Sequence, residues 1–244
     1  MKKFFAIFRM MMLGALVLPM VSCEKEIDIE LSCPDEGRHK HAVDLGLSVK
    51  WACCNVGAYS PEEFGGYYAW GELKEKETYE WKTYSWASLD NNNSYETVKY
   101  NNDEWSDYYD GKIILSSTDD VARREWGIGW RMPTVEEFNE LFSRCQWSVV
   151  EYNGVECQMA TGPNGNSILF PYCGSQDGDY TNYEGPWGYG WYWTANCCDY
   201  GSSKAYSVQL KNKSKSTSKD PSYPDNYLME SPRFYGMSVR AVRD

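Results

Sequence analysis

One stretch of this chain carries a strong amphipathic helical period, and it is short. Pro133 breaks the chain before it, Thr134 and Glu137 form a T-x-x-E capping box, and Phe138, Leu141, Phe142 and Cys145 fall at i, i+3, i+4 and i+7. The spacing predicts a helix over Thr134 to Arg144 with one buried face, Glu136 and Glu140 outside, and Arg144 at the favourable C-terminal end. Ser117 to Arg124 predicts a second, shorter helix with Asp119 and Asp120 in its first turn. Everything else must be built from strands and ordered loops, which excludes a helical bundle.

Strand candidates follow from alternation and β propensity. Val43 to Ala52 reads as a first strand, Pro61 to Phe64 as a short helical turn, and Val155 to Ala160 with Ile168 to Tyr172 as a hairpin around Gly162-Pro163-Asn164-Gly165. Trp191 to Ala195, Ala205 to Leu210 and Met237 to Val242 supply three more. Tyr79 to Tyr109 holds nine Trp or Tyr residues without a helical or strand period, so it reads as ordered loop. The lysine and serine run Lys211 to Lys219 reads as a solvated loop.

The N-terminus addresses the chain. Lys2, Lys3 and Arg9 precede an apolar and small-residue run from Met10 to Met20, and Val21-Ser22-Cys23 closes it. That pattern is a secretory signal over residues 1–22. The run is short for a bilayer span, and its end resembles a bacterial lipobox, with Cys23 as the lipidation site. Residues 23–41 are polar, carry Pro34 and Gly37, and read as a tether. His39 and His41 lie at its end without a thiol or carboxylate at ligand spacing, so no metal site is expected.

Removing the first 22 residues takes three basic side chains and leaves 21 basic against 35 acidic. Such a surface repels phosphate backbones, so nucleic acid is a poor partner and membrane association rests on acyl chains. Nine cysteines suit an exported chain and point to disulfides, whose pairing spacing cannot fix: the eight beyond Cys23 allow 105 connectivities.

Read together, His41-Ala-Val-Asp-Leu-Gly-Leu-Ser-Val-Lys-Trp-Ala, Cys54-Asn-Val-Gly-Ala, Tyr68-Ala-Trp-Gly-Glu, Asp119-Asp-Val-Ala, Gly129-Trp-Arg-Met-Pro-Thr, Thr161-Gly-Pro-Asn-Gly-Asn-Ser, Tyr192-Trp-Thr and Ser238-Val-Arg resemble the Fibrobacter major paralogous domain family of exported lipoproteins. The resemblance runs from His41 to Arg243. It implies an α+β, C-type lectin-like fold over 42–244: small, mostly antiparallel sheets, one or two helices, paired chain ends and long loops, including the aromatic segment 74–112. It also implies an outer-membrane lipoprotein, facing the surface or the periplasm. Arg131, Pro133, Thr134 and Glu137 match a helix start shared across that superfamily, where they report fold, with Arg131 as a buried, hydrogen-bonded strut.

Chemistry-bearing motifs are sparse. Two histidines in or beside the tether cannot serve a Ser-His or Cys-His pair, and no phosphate or dinucleotide glycine loop occurs. Vicinal Cys197-Cys198 departs from the spaced pair of formylglycine-generating enzymes, and a two-carboxylate glycosidase would have to draw on Asp177, Asp179, Glu184 and Asp199. No enzyme and no cofactor are expected. Tyr180 to Trp193, by contrast, holds seven Trp or Tyr in fourteen residues, with Gly178, Gly185, Gly188 and Gly190 supplying bends. Amphipathic rings of this density suit a sugar face or a peptide segment. The expected ligand surface is Trp187, Tyr189, Trp191, Asn196, Asp199, Tyr200 and Tyr235, with Trp193 assigned to the core. The expected partner is a glycan or a surface protein, the alternative role being a structural or adhesin subunit.

Overall fold

The last strand of the chain is clamped between two early ones. In the computed structural model, which describes residues 40–90, 92–182, 188–198, 203–212 and 226–244, all inside the unit Leu31–Asp244, the elements run as follows. β1 (Ala42–Val43) and β2 (Lys50–Ala52) form a hairpin, and β3 (Ala87–Leu89) and β4 (Tyr95–Thr97) form another. Then come α1 (Val121–Trp126), β5 (Trp130–Arg131) and α2 (Val135–Arg144). A meander of β6 (Gln146–Tyr152), β7 (Val155–Thr161) and β8 (Ser167–Pro171) leads to the small pair β9 (Ser175–Asp177) and β10 (Tyr180–Asn182). β11 (Tyr189–Cys197), β12 (Lys204–Lys211) and β13 (Asn226–Pro232) make a three-stranded sheet, and β14 (Val242–Arg243) closes the chain. The order β1-β2-β14-β5 places Val242 opposite both Trp51 and Arg131. Every ladder is antiparallel, the sheets are small, and the described residues hold two α-helices.

The capping box at α2 forms as its sequence dictates. Thr134 accepts from the Glu137 N–H and Glu137 from the Thr134 N–H, while Phe138 and Leu141 are fully buried. Phe138 meets Trp51 edge-on at 5.0 Å, and Trp51 meets Phe170, which carries Tyr192 on its other side. A second cluster gathers Trp70, Tyr100, Trp130, Trp193 and Met237. Two guanidiniums run through this interior and end on carbonyls: Arg240 donates to Ala52, Cys53 and Leu169, and Arg233 to Lys99 and Tyr100.

Several expectations change. Val43 to Ala52 is a hairpin rather than one strand, because Asp44 accepts from the Gly46 N–H and both Asn164 and Asn166 donate to the Asp44 carbonyl, bending Leu45 and Val49 into the core. The short helix starts at Val121 with Asp120 as its N-cap, and Asp119 lies outside it as an acceptor for Lys99, Tyr100 and Ser116. Pro61 to Phe64 is a turn. The aromatic segment contains β3, β4 and a 3-10 turn at Trp81–Thr83. Met237 to Val242 pairs mostly through single bridges, Met237 with Tyr68 and Ser238 with Tyr192, before the ladder of β14. β6 and β13 arise where no strand is expected. The seven described cysteines are buried, and no disulfide forms among the described residues. The signal, Cys23 and most of the tether lie outside them.

Candidate functional site

A cleft of about 430 Å³ opens beside the first half of the aromatic segment. Gly71 to Lys76 line it together with Thr83, Ser85, Trp86 and Asp119. The residue that leads into it, Trp70, is fixed in the interior: its ring N–H donates to the Thr194 carbonyl at 2.9 Å and its backbone N–H to the Arg233 carbonyl. Gly71 follows at φ +76, and a Cβ there would lie 2.2 Å from Cζ3 of Trp86. Glycine lets the indole lie against the backbone, so the chain leaves Trp70 in a direction that exposes Glu72 and Lys76 to the cleft.

Two of the lining carboxylates, Glu72 and Asp119, are matched by cations inside the protein. Glu72 accepts from the Ser85 N–H and pairs with Lys76 at 2.8 Å. The Lys76 ammonium also donates to the Thr83 carbonyl and stands 5.5 Å from the Tyr79 ring and 5.6 Å from the Tyr84 ring. Glu75 accepts from the Tyr67 N–H at 3.0 Å. Asp119 pairs with Lys99, whose ammonium lies 4.8 Å from the centre of the Trp86 ring. Burial pushes the Asp119 carboxyl up, but hydrogen bonds from Lys99, Tyr100 and Ser116 outweigh it and hold the group below its usual range. A carboxyl so held stays ionised at neutral pH and does not serve as a proton donor. Burial raises the Tyr79 and Tyr100 phenols to about 12, so both remain neutral donors. The cleft offers acceptors, donors and an indole; its two buried carboxylates are ion-paired, while Lys74 and Glu75 stand exposed in the lining.

Four of the seven expected ligand residues are described, and those four do not all meet in one place. Trp187, Asp199 and Tyr200 lie outside the described residues. Tyr189 and Trp191 share one face of β11, opposite Lys211 and Gln209, and are half-buried. Trp191 and Tyr235 pack against the same core cluster, and Phe234 meets Tyr235 edge-on at 4.9 Å. Asn196 is at the other end of β11, where its side-chain oxygen accepts from the Val135 N–H at the start of α2. Its amide therefore holds a helix. Trp193 is fully buried and donates to the Tyr68 carbonyl. Arg131 is a strut, though one-third exposed rather than buried: it forks onto Glu137 and reaches Asp244.

Gly71, Glu72 and Asp119 sit inside the motifs Tyr68-Ala-Trp-Gly-Glu and Asp119-Asp-Val-Ala, so their presence was visible but not their convergence. Trp86 is one of nine rings in a segment read as loop and Lys99 carries no signal; the β3–β4 hairpin brings the indole to the cleft and the ammonium to Asp119. No family model, curated protein or solved structure matches the chain.

Proposed function

We propose that this chain is an exported, lipid-anchored binding module with a C-type lectin-like arrangement, displayed at the outer membrane, that holds an uncharged glycan in the Gly71–Asp119 cleft. The observation that carries the reading is an indole-walled cleft whose two buried carboxylates, Glu72 and Asp119, are already paired with Lys76 and Lys99. Sugars present hydroxyls that accept and donate, and C–H faces that pack on aromatic rings. With both buried carboxylates paired, the charges left to an ion are the solvated Lys74 and Glu75, which bind weakly in water, so the indole and the hydrogen-bonding groups favour a neutral ligand.

The test is isothermal titration of the full-length chain against neutral oligosaccharides of several linkages, with Trp86→Ala and Trp86→Phe alongside. The expected result is saturable binding of at least one neutral oligosaccharide, lost by about tenfold or more on Trp86→Ala and largely kept by Trp86→Phe. Binding that survives Trp86→Ala, or a preference for anionic sugars, overturns it.

A further inference from the structure

Residues 103–114 share nothing with the cleft and hold five large apolar side chains in water. Trp105 is 95% exposed, and Tyr108, Tyr109, Ile113 and Ile114 are each more than 40% exposed. Isolated exposed rings are ordinary, but a run of five within ten residues is the signature of a contact surface. The loop is also held rigidly. Asp110 accepts backbone N–H groups from Tyr100, Asn101 and Lys112, and the buried Asn101 amide donates to Thr97 and Ser106. Asp103 accepts from the Trp105 N–H, turning the chain where the indole projects. At its far end, Ile113 accepts from the Cys197 N–H and Leu115 donates to Ala195, tying the loop to β11. A backbone fixed before contact loses little entropy on contact.

We infer that this loop is a docking surface for a basic segment of another protein. Charge decides among the occupants. The loop carries Asp103, Glu104, Asp107 and Asp110 against Lys112 alone, and Glu104 and Asp107 stand exposed beside the rings. A second copy would present the same acidic loop and be repelled, and an anionic lipid surface would be repelled likewise. A segment bearing lysine or arginine next to aliphatic side chains would pair with the carboxylates, place its cations over the indole and phenol faces, and cover the isoleucines.

The test uses labelled nine-residue peptides that alternate lysine or arginine with leucine, matched peptides with glutamate or serine in the basic positions, and anionic vesicles, each titrated into the full-length chain and followed by anisotropy or co-sedimentation. The expected result is saturable, salt-sensitive binding of the basic peptides alone, weakened about tenfold by Trp105→Ala and less by Trp105→Phe. Glu104→Gln with Asp107→Asn should flatten the salt dependence. An indole this exposed carries little folding energy, and circular dichroism of Trp105→Ala should match the parent. Basic-peptide binding that ignores Trp105 overturns the inference as mere attraction to an acidic chain. Failure of the basic peptides, equal binding of the serine peptides, Trp105-dependent vesicle binding or Trp105-dependent self-association overturns it too. None of these outcomes bears on oligosaccharide binding through Trp86.

Discussion

Arg131 and Glu137 meet as a planar fork, Nη1 to Oε2 at 2.8 Å and Nη2 to Oε1 at 2.5 Å. The same carboxylate accepts the Thr134 N–H, so one side chain both caps α2 and fastens it to β5. Glu137→Ala should therefore cost more than Thr134→Ala: about 2–3 kcal/mol against about 1. Arg131→Lys keeps the charge but loses the fork, and should fall between them. Urea titrations of the three variants check the order; a Thr134→Ala loss as large as that of Glu137→Ala would show that the fork adds nothing.

Gly71 and Gly165 separate backbone strain from cleft shape. Both have positive φ, +76 and +89, but an added Cβ at Gly165 meets nothing within 4 Å, whereas at Gly71 it strikes the Trp86 ring. Gly165→Ala should lose about 1 kcal/mol from strain alone. Gly71→Ala should lose more, about 2–4 kcal/mol, because the indole must move as well. It should also abolish oligosaccharide binding under conditions where the variant is still folded, which titration of both variants would reveal.

How far the fold could be read from the chain depends on whether local residues or distant ones decide each element. α2 was legible because its cap, its apolar stripe and its stop are all within twelve residues. The 155–172 hairpin was legible for the same reason, its turn being written in Gly162-Pro163-Asn164-Gly165. β6 was not, since Gln146 to Tyr152 is an edge strand without a fully buried residue, and a strand with no buried face shows no alternation. The β1–β2 hairpin was misread because Leu45, Leu47 and Val49 alternate as a strand would, while Asn164 and Asn166, more than a hundred residues away, fix the bend. The cleft failed in the same manner. Its glycine and acids stand in recognisable motifs, but the indole that walls it arrives from a hairpin that no local pattern announces.

Alkali should undo the aromatic half of the domain. Burial raises the Tyr79 and Tyr100 phenols from 10.0 to about 12. Their stabilising contribution is present in full below pH 10, where both states are protonated. It is lost as pH rises from 10 toward 12, because the unfolded chain releases those protons first. Thermal midpoints should be flat up to about pH 10 and then fall, with Tyr100→Phe making the fall shallower, since Tyr68, Tyr84, Tyr172 and Tyr192 are raised by burial as well. A midpoint that Tyr100→Phe leaves unmoved above pH 10 would remove Tyr100 from this account.

Arg240 tests what joins the two ends of the chain. Fully buried, it donates to the carbonyls of Ala52, Cys53 and Leu169 and to the Asn55 side-chain oxygen, with its guanidinium 4.6 Å from the centre of the Phe170 ring. The donors reach the N-terminal hairpin and the β6–β8 meander at once, two residues before Val242 enters its ladder. Arg240→Met would keep contact with Phe170 but leave four acceptors without this donor in a dry interior. The loss should be about 3–5 kcal/mol, at the upper end for a single substitution. Arg240→Lys, a point charge with a different reach, should recover only part of it. At Arg243, an exposed position three residues on in β14, replacement by Met should cost under about 1 kcal/mol. Comparison of the three midpoints in urea decides the matter: equal losses at 240 and 243 would mean that strand pairing alone, and not the buried guanidinium, closes the domain.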